Sequence, residues 1–353
     1  MHTAHHNIMI RAMFDPADIK KFKALLNKAT KVVICCHVRP DGDAMGSTLG
    51  LCHLLKKLGK KARVVTPDHP PRALSFLPGI DEVVPLSKYP EFAPQLVHDA
   101  DLILCCDFNK PSRIDSLANY VLAAQCPKVL IDHHQDPDSF CDLTFSYPAM
   151  SSASELAFRL ICALGWAQEI DLNVATCLAT GLITDTRNLA VNCDDPEIYL
   201  VLHELLSKGV DKQRIVREAL ETKSVDAFNL WLHAMSNRMT LLPELHTALI
   251  ALDTEDLEKF HYVKGDTEGL VNQPLQIKGI KACFFMRKDP DCIKVSARST
   301  EGFPVSKVCE DLFNGGGHLQ AAGGEFKGTL QEAVKILTEA MPSYSHYFKQ
   351  KQS

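Results

Sequence analysis

His37, Asp41 and Asp43 stand in the run HVRPDGD, Asp107 follows LILCC, Asp132-His133-His134 follow KVL-Ile131, and Asp185 closes TGLIT. Aspartate and histidine with no thiolate among them favour Mn²⁺ or a similar divalent ion over a structural zinc site. Gathered into one crevice, even four of these carboxylates and two of these imidazoles repel one another unless cations compensate. Six such ligands serve two metals only if one carboxylate bridges them. Two ions about 3.5–4 Å apart can clamp the attacking and leaving oxygens of an in-line displacement at phosphorus. The residues therefore propose a dinuclear hydrolase. Each piece alone has a plainer reading: HxxxDxD as a polar Asx-bonded turn, Asp-His-His as a surface patch, a lone Asp after a strand as a helix cap. Their recurrence at strand ends is what outweighs those readings.

The elements that must position them are legible as alternating apolar runs and helical segments. Lys31–His37, Ala62–Pro67, Asp101–Asp107 and Lys128–Asp132 read as buried strands, and Gly46–Gly59, Ser152–Leu164 and Leu172–Ile183 as helices. Continuous apolar strands separated by helices predict βαβ units and a mostly parallel sheet. In such a sheet ligands bind beyond the carboxyl ends of the strands, which is where the Asp and His residues fall.

A helical, more polar stretch over 196–242 shows no strand signal and reads as a connector. Thr247–Leu252, Ala282–Arg287 and Ile293–Ser299 then read as strands of a smaller second α/β region. Its chemistry-bearing residues are Gly315-Gly316-Gly317-His318 and the strand-borne Arg298-Ser299. Glycines let backbone N–H groups approach an anion closely, and arginine offers bidentate phosphate contacts. A glycine run by itself is more simply a flexible turn.

Composition narrows the partners. The chain has 353 residues, enough for two domains, and a net charge of −5, against a basic track for long nucleic acid. Small anionic substrates fit better. The 13 cysteines include no CxxC pair, and read as reduced core residues of a cytoplasmic protein. No apolar run is long enough to span a bilayer, and the first residues lack a secretion-signal pattern. His2, His5 and His6 read as a frayed terminus rather than a metal site.

With these residues in hand, the chain resembles the DHH phosphoesterases. HVRPDGDAMGS, Asp107 in CDFNKPSRI, Asp132-His133-His134 and Asp185 in TGLITDT are similar to their four motifs, and NGGGHLQAAGG with Ala297-Arg298-Ser299 resembles the accompanying DHHA1 domain. Length and domain content resemble the NrnA-like subgroup of nano-RNases and 3′-phosphoadenosine 5′-phosphate phosphatases. The resemblance implies a DHH catalytic domain over 1–195, a helical connector over 196–242 and a DHHA1 substrate-binding domain over 243–345.

By resemblance, His37 and Asp41 hold one metal, Asp43, His133 and Asp185 the other, and Asp107 bridges them. Asp132 orients an imidazole, His134 faces the scissile phosphate, and a bridging water is the nucleophile. Two Mn²⁺ are implied, with Mg²⁺ or Co²⁺ as alternatives. Arg298, Ser299, Gly315, Gly316, Gly317 and His318 would read the end of a short oligonucleotide or nucleotide phosphoester. Asn314 stands where relatives often carry a fourth glycine, and Arg187-Asn188 where one is common after Asp185-Thr186; both bear on substrate fit rather than on the ligands. The competing readings are a dinucleotide or cyclic-dinucleotide phosphodiesterase, an exopolyphosphatase-like enzyme, and a non-catalytic nucleotide-binding protein. A homodimer is compatible with the chain.

Overall fold

A computed structural model describes residues 11–300 and 302–349; His2, His5 and His6 lie outside them. The chain divides after Thr222 into two compact units. In the first, chain order is α1 (Pro16–Lys28), β1 (Lys31–Cys35), α2 (Gly42–Lys57), β2 (Lys61–Thr66), β3 (Val84–Pro85), α3 (Phe92–His98), β4 (Leu102–Cys106) and α4 (Leu117–Ala123). β5 (Lys128–Asp132), β6 (Leu143–Ser146), α5 (Ala153–Ala163), α6 (Leu172–Asp185), α7 (Glu197–Ser207) and α8 (Lys212–Ile215) follow, and α8 runs into a π-helical turn, Val216–Glu221.

The six strands form a parallel sheet in the order β3-β2-β1-β4-β5-β6. The direction of winding reverses between β1 and β4, and at such a switch point a crevice opens beyond the strand ends. Alternate side chains serve opposite faces. Val32, Ile34, Leu104 and Ile131 pack with residues of α2, α5 and α6, while Val33, Cys35, Ile103 and Leu130 pack with residues of α3 and α4. Burial on both faces is why these strands read as continuous apolar runs.

Two helices meet unusually closely on the first face. A Cβ on Gly46 of α2 would lie 2.5 Å from the Cys177 carbonyl oxygen of α6, so only glycine permits this approach of the two backbones. Gly42 and Gly50, one turn either side of Gly46, sit against Thr184 and Leu178 in the same way. The approach draws the N-terminus of α2 and the C-terminus of α6 together, and these ends carry Asp43 and Asp185.

The second unit contains α9 (Val225–Asn237), β7 (Met239–Leu242), β8 (Thr247–Leu252), α10 (Thr254–Lys259), β9 (Ala282–Lys288), β10 (Ile293–Ser299), α11 (Val305–Leu312), β11 (Gly316–His318), β12 (Ala321–Phe326) and α12 (Leu330–Tyr344). Its mixed sheet runs β11-β12-β10-β9-β8-β7, with only β8 and β9 parallel. The fold class is thus α/β throughout: a parallel sheet with flanking helices, the helical connector α7–α9, and a smaller α/β region. The connector ends in a strand the sequence pattern did not show, because β7 is a half-exposed edge. The glycine-rich segment is a hairpin rather than a loop. Gly315 lies where a Cβ would meet the Gly323 carbonyl at 2.0 Å, and Gly317 has φ 142°.

All 13 cysteines are unpaired thiols, with Cys35, Cys36, Cys105 and Cys106 buried. Among the described residues no helix is long and apolar enough to cross a membrane.

Candidate metal centre

The sheet delivers His37 two residues beyond β1, Asp107 immediately after β4 and Asp132-His133-His134 at the end of β5. Asp107 adopts φ 61°, a left-handed conformation that aspartate tolerates better than most residues. Asp41 is the N-cap of α2, where its Oδ1 accepts the N–H groups of Asp43 and Ala44 at 3.0 Å each. That cap starts the helix at Gly42, four residues earlier than the apolar pattern suggests. Asp43 is buried, and its two oxygens accept the N–H groups of Ala153 (2.6 Å) and Ser154 (2.9 Å) at the start of α5.

Each imidazole is turned the same way. The Nδ1 of His37 meets the Val38 carbonyl at 2.8 Å, that of His133 meets the Met150 carbonyl at 3.2 Å, and that of His134 meets Asp132 Oδ1 at 2.8 Å. A carbonyl or carboxylate can only accept, so the neutral ring carries its proton on Nδ1 and presents a lone pair at Nε2.

Those Nε2 atoms face carboxylates. His37 Nε2 stands 3.4 Å from Asp107 Oδ2 and 3.8 Å from Asp41 Oδ1. His133 Nε2 stands 3.5 Å from Asp107 Oδ1, 3.6 Å from Asp185 and 3.8 Å from Asp43. Such separations are longer than the ~2.7–3.2 Å of a good hydrogen bond. They suit donors sharing an ion at ~2.1 Å from each, whose mutual distances run ~3–3.5 Å.

Two sets with compatible ligand atoms result: His37 with Asp41 and Asp107, and Asp43 with His133 and Asp185. A third combination, Asp107 with His133 and His134, also closes. Asp107 turns one oxygen toward each imidazole, and its buried Oδ1 receives no hydrogen bond. A buried carboxylate oxygen without a donor is costly unless something positive meets it. The residues fit a pair of divalent cations.

The electrostatics carry the same demand. Burial disfavours a charged His37, yet Asp107 and Asp41 outweigh it and push the ring up to about 10. His133, likewise opposed by burial, is pushed up to about 11 by Asp107, Asp43 and Asp185. Burial and the neighbouring carboxylates push Asp185 up to about 7, and Asp43 well above the usual carboxylate range. Only Asp107 goes the other way: against its burial, His133 and His37 hold it well below that range. The protein's own charges leave the crevice short of positive charge, and it draws protons onto histidine and aspartate to supply it.

Asp132 is buried and accepts both the ring and the backbone N–H of His134, fixing that ring beside His133 with centroids 4.9 Å apart. In the second unit Arg298 and His318 pair with Ala321 from opposite sides of β12, so the strands bring those two and Gly316-Gly317 to one sheet end. The Ser299 hydroxyl donates to the Phe303 carbonyl.

Sequence reasoning missed the segment Tyr147–Ser154. It ties Asp132 through the Tyr147 N–H, His133 through the Met150 carbonyl, and Asp43 through the Ala153 and Ser154 N–H groups. The one local signal was Ser152-x-x-Glu155, a helix-start pattern.

Residues 31–182 match the DHH family, N-terminal domain, and residues 250–343 the DHHA1 domain. The bifunctional oligoribonuclease and PAP phosphatase NrnA of Thermus thermophilus is 32% identical over 314 residues, covering 88% of this chain and 89% of that one. The crystal structure of an exopolyphosphatase-related protein from Bacteroides fragilis superposes with a TM-score of 0.94 at 42% identity, over 97% of this chain and all of that one. RecJ of Thermus thermophilus, solved in complex with Mn²⁺, shares the fold at 16% identity and a TM-score of 0.57, over 96% of this chain and 56% of that one. The chain belongs to the DHH/DHHA1 family of phosphoesterases. It is accordingly a metal-dependent phosphoesterase, with His/Asp clusters able to hold the metals.

Proposed function

We propose that the chain hydrolyses short oligoribonucleotides, and 3′-phosphoadenosine 5′-phosphate beside them. His37 and Asp41 hold one cation, Asp43, His133 and Asp185 a second, and Asp107 joins the two. The observation that carries this reading is Asp107, whose two oxygens are directed to the Nε2 atoms of two different histidines. Two bound divalent ions, Mn²⁺ by preference, supply Lewis acidity at the phosphoryl oxygens and a water acidic enough to attack at neutral pH.

The chain's residues do the rest. Val38 and Met150 hold the ligand histidines in the tautomer that offers Nε2. Asp132 holds the His134 ring by its Nδ1, and His134 faces the scissile phosphate, where it stabilises charge or assists the leaving oxygen. Arg298, Ser299, Gly315, Gly316, Gly317 and His318 recognise the substrate end. Similarity to an oligoribonuclease and PAP phosphatase over most of both chains supports the substrate class, as does the absence of a net positive charge.

The test is hydrolysis by purified protein with Mn²⁺ of a dinucleotide, a five-nucleotide RNA, a long RNA, 3′-phosphoadenosine 5′-phosphate, a cyclic dinucleotide and polyphosphate. Preference for the short RNAs over the long one is the expected result. Turnover of polyphosphate or the cyclic dinucleotide alone overturns the substrate assignment and leaves the metal chemistry standing.

A further inference from the structure

One ion pair of the first unit is buried beyond what a helix cap needs. Arg159 and Glu155, four residues apart on α5, have side chains 1% and 3% exposed. The Arg159 Nε donates to Glu155 Oε1 at 2.9 Å, and Nη2 stands 2.7 Å from the same oxygen. Arg159 Nη1 reaches Glu197 of α7 at 2.6 Å, and Glu197 also accepts the Arg11 N–H at 3.1 Å. The other Glu155 oxygen accepts both the N–H and the hydroxyl of Ser151, at 3.0 and 2.6 Å. The cap of α5 is already made by Ser152, whose hydroxyl accepts the Glu155 N–H.

Burying two charges is expensive, and apolar side chains of similar volume often leave a protein as stable or more so. Helix stability therefore does not account for the pair. Its position does. Ser151, gripped by Glu155, lies between Met150, whose carbonyl sets the His133 tautomer, and Ala153-Ser154, whose N–H groups orient Asp43. Among the described residues no buried arginine–carboxylate pair grips the other set: His37 is held by Val38, Asp41 by its own helix, and the Arg39 N–H between them by the Asp68 carboxylate at 2.8 Å.

We propose that the buried Glu155–Arg159 pair is a positioning device for one half of the metal centre. It fixes the Met150–Ser154 bracket, and through it the donor directions of Asp43 and His133, while the His37/Asp41 half is set independently. This rests on the two-cation reading above. Glu155 and Arg159 touch neither metal nor substrate. Partners one shell behind metal ligands typically govern about 10–100-fold in affinity, and that loss is expected to fall on one site alone.

The experiment is Mn²⁺ titration, followed by calorimetry and by the electron paramagnetic resonance signal of free Mn²⁺, in two single-site backgrounds. His37→Ala leaves the Asp43 set, and Asp43→Ala leaves the His37 set. Adding Glu155→Gln/Arg159→Met should weaken Mn²⁺ about 10-fold or more in the first background. In the second the change should stay within about 2-fold, and the melting point of the metal-free protein should not fall. Equal losses in both backgrounds, or a loss that tracks a lowered melting point, would make the pair merely structural and overturn the proposal. Should the double substitution not fold, Glu155→Gln alone carries the same comparison, since an amide oxygen can still accept from Ser151 but no longer pairs with Arg159. A wild-type chain that takes up fewer than two Mn²⁺ overturns the dinuclear reading itself, an outcome read before any Glu155 or Arg159 variant is made.

Discussion

Gly181→Ala puts the link between helix packing and metal binding to a direct test. A Cβ built on Gly181 would lie 1.9 Å from the Ser154 hydroxyl and 2.6 Å from Asp43 Oδ1. In a close-packed interior these fall short of ordinary contact by about 1.5 Å and about 0.8 Å, so both groups must move. Overpacking of this kind costs about 1–3 kcal/mol, and alanine in a helix interior returns about 1 kcal/mol over glycine. The net loss is about 0–2 kcal/mol, at most several degrees of melting point for a unit of this size. The effect on the centre is larger, because an Asp43 displaced by nearly 1 Å is a misplacement worth about 100-fold in rate. The assay pairs thermal melting with Mn²⁺ dependence of dinucleotide hydrolysis. A second substitution, Ser154→Ala, removes the 1.9 Å contact and leaves those to the Cβ of residue 154 at 2.7 Å and to Asp43 at 2.6 Å. It should restore part of the stability and little of the Mn²⁺ affinity. Full recovery of both, or an unaltered Gly181→Ala enzyme, would refute the claim that α6 packs directly against a ligand.

Asp107→Asn should lower turnover by at least about 1,000-fold with the fold retained by circular dichroism, since an amide cannot give an anionic oxygen to each side; wild-type rates with two bound Mn²⁺ would remove Asp107 from its joining role. Arg298→Ala should raise KM for short RNAs about 10-fold or more and leave Mn²⁺ stoichiometry alone, as steady-state kinetics beside metal analysis would show. For pH, the metal-free fold holds protons on His37 to about 10, His133 to about 11 and Asp185 to about 7. Raised folded values mean stability present below the unfolded values and lost as pH rises toward the folded ones. The metal-free protein should therefore melt lower at pH 9 than at pH 6. Mn²⁺ should reverse that order, because it competes with the same protons. Calorimetry at pH 8 in buffers of different ionisation enthalpy should register about two protons released on full loading, and a buffer-independent heat would contradict the assignment.

Much of this centre was legible because parallel strands leave a clear trace. β1 and β4 are apolar to their last residue and β5 to Ile131, and within two positions of those residues stand His37, Asp107 and Asp132-His133. What escaped was either short or nameless. β3 has two residues and β6 four, too few for a periodic signal. β7 looked like more helix because an edge strand with exposed Thr240 and Leu241 alternates weakly. The Met150–Ser154 bracket works through backbone N–H and C=O groups, which any residue supplies, so its sequence carries only the Ser152 cap. Nothing in the sequence marked Glu155 and Arg159 as buried, and the Glu197 that Arg159 reaches lies on α7, more than 30 residues further on.

The arrangement explains why so acidic a crevice can exist in a stable fold. Asp43, Asp107 and Asp132 are nearly or fully inaccessible, and buried like charges work against folding. Backbone N–H groups at the starts of α2 and α5 meet Asp41 and Asp43, and helix N-termini favour negative charge. Asp132 is satisfied by His134. That leaves Asp107, the one carboxylate of the group with a buried oxygen that accepts no hydrogen bond. The fold therefore supplies N–H donors to Asp41, Asp43 and Asp132 and none to the inner oxygen of Asp107. The oxygen left over faces His133 from the carboxylate whose other oxygen faces His37, which is where two cations would have to share a ligand.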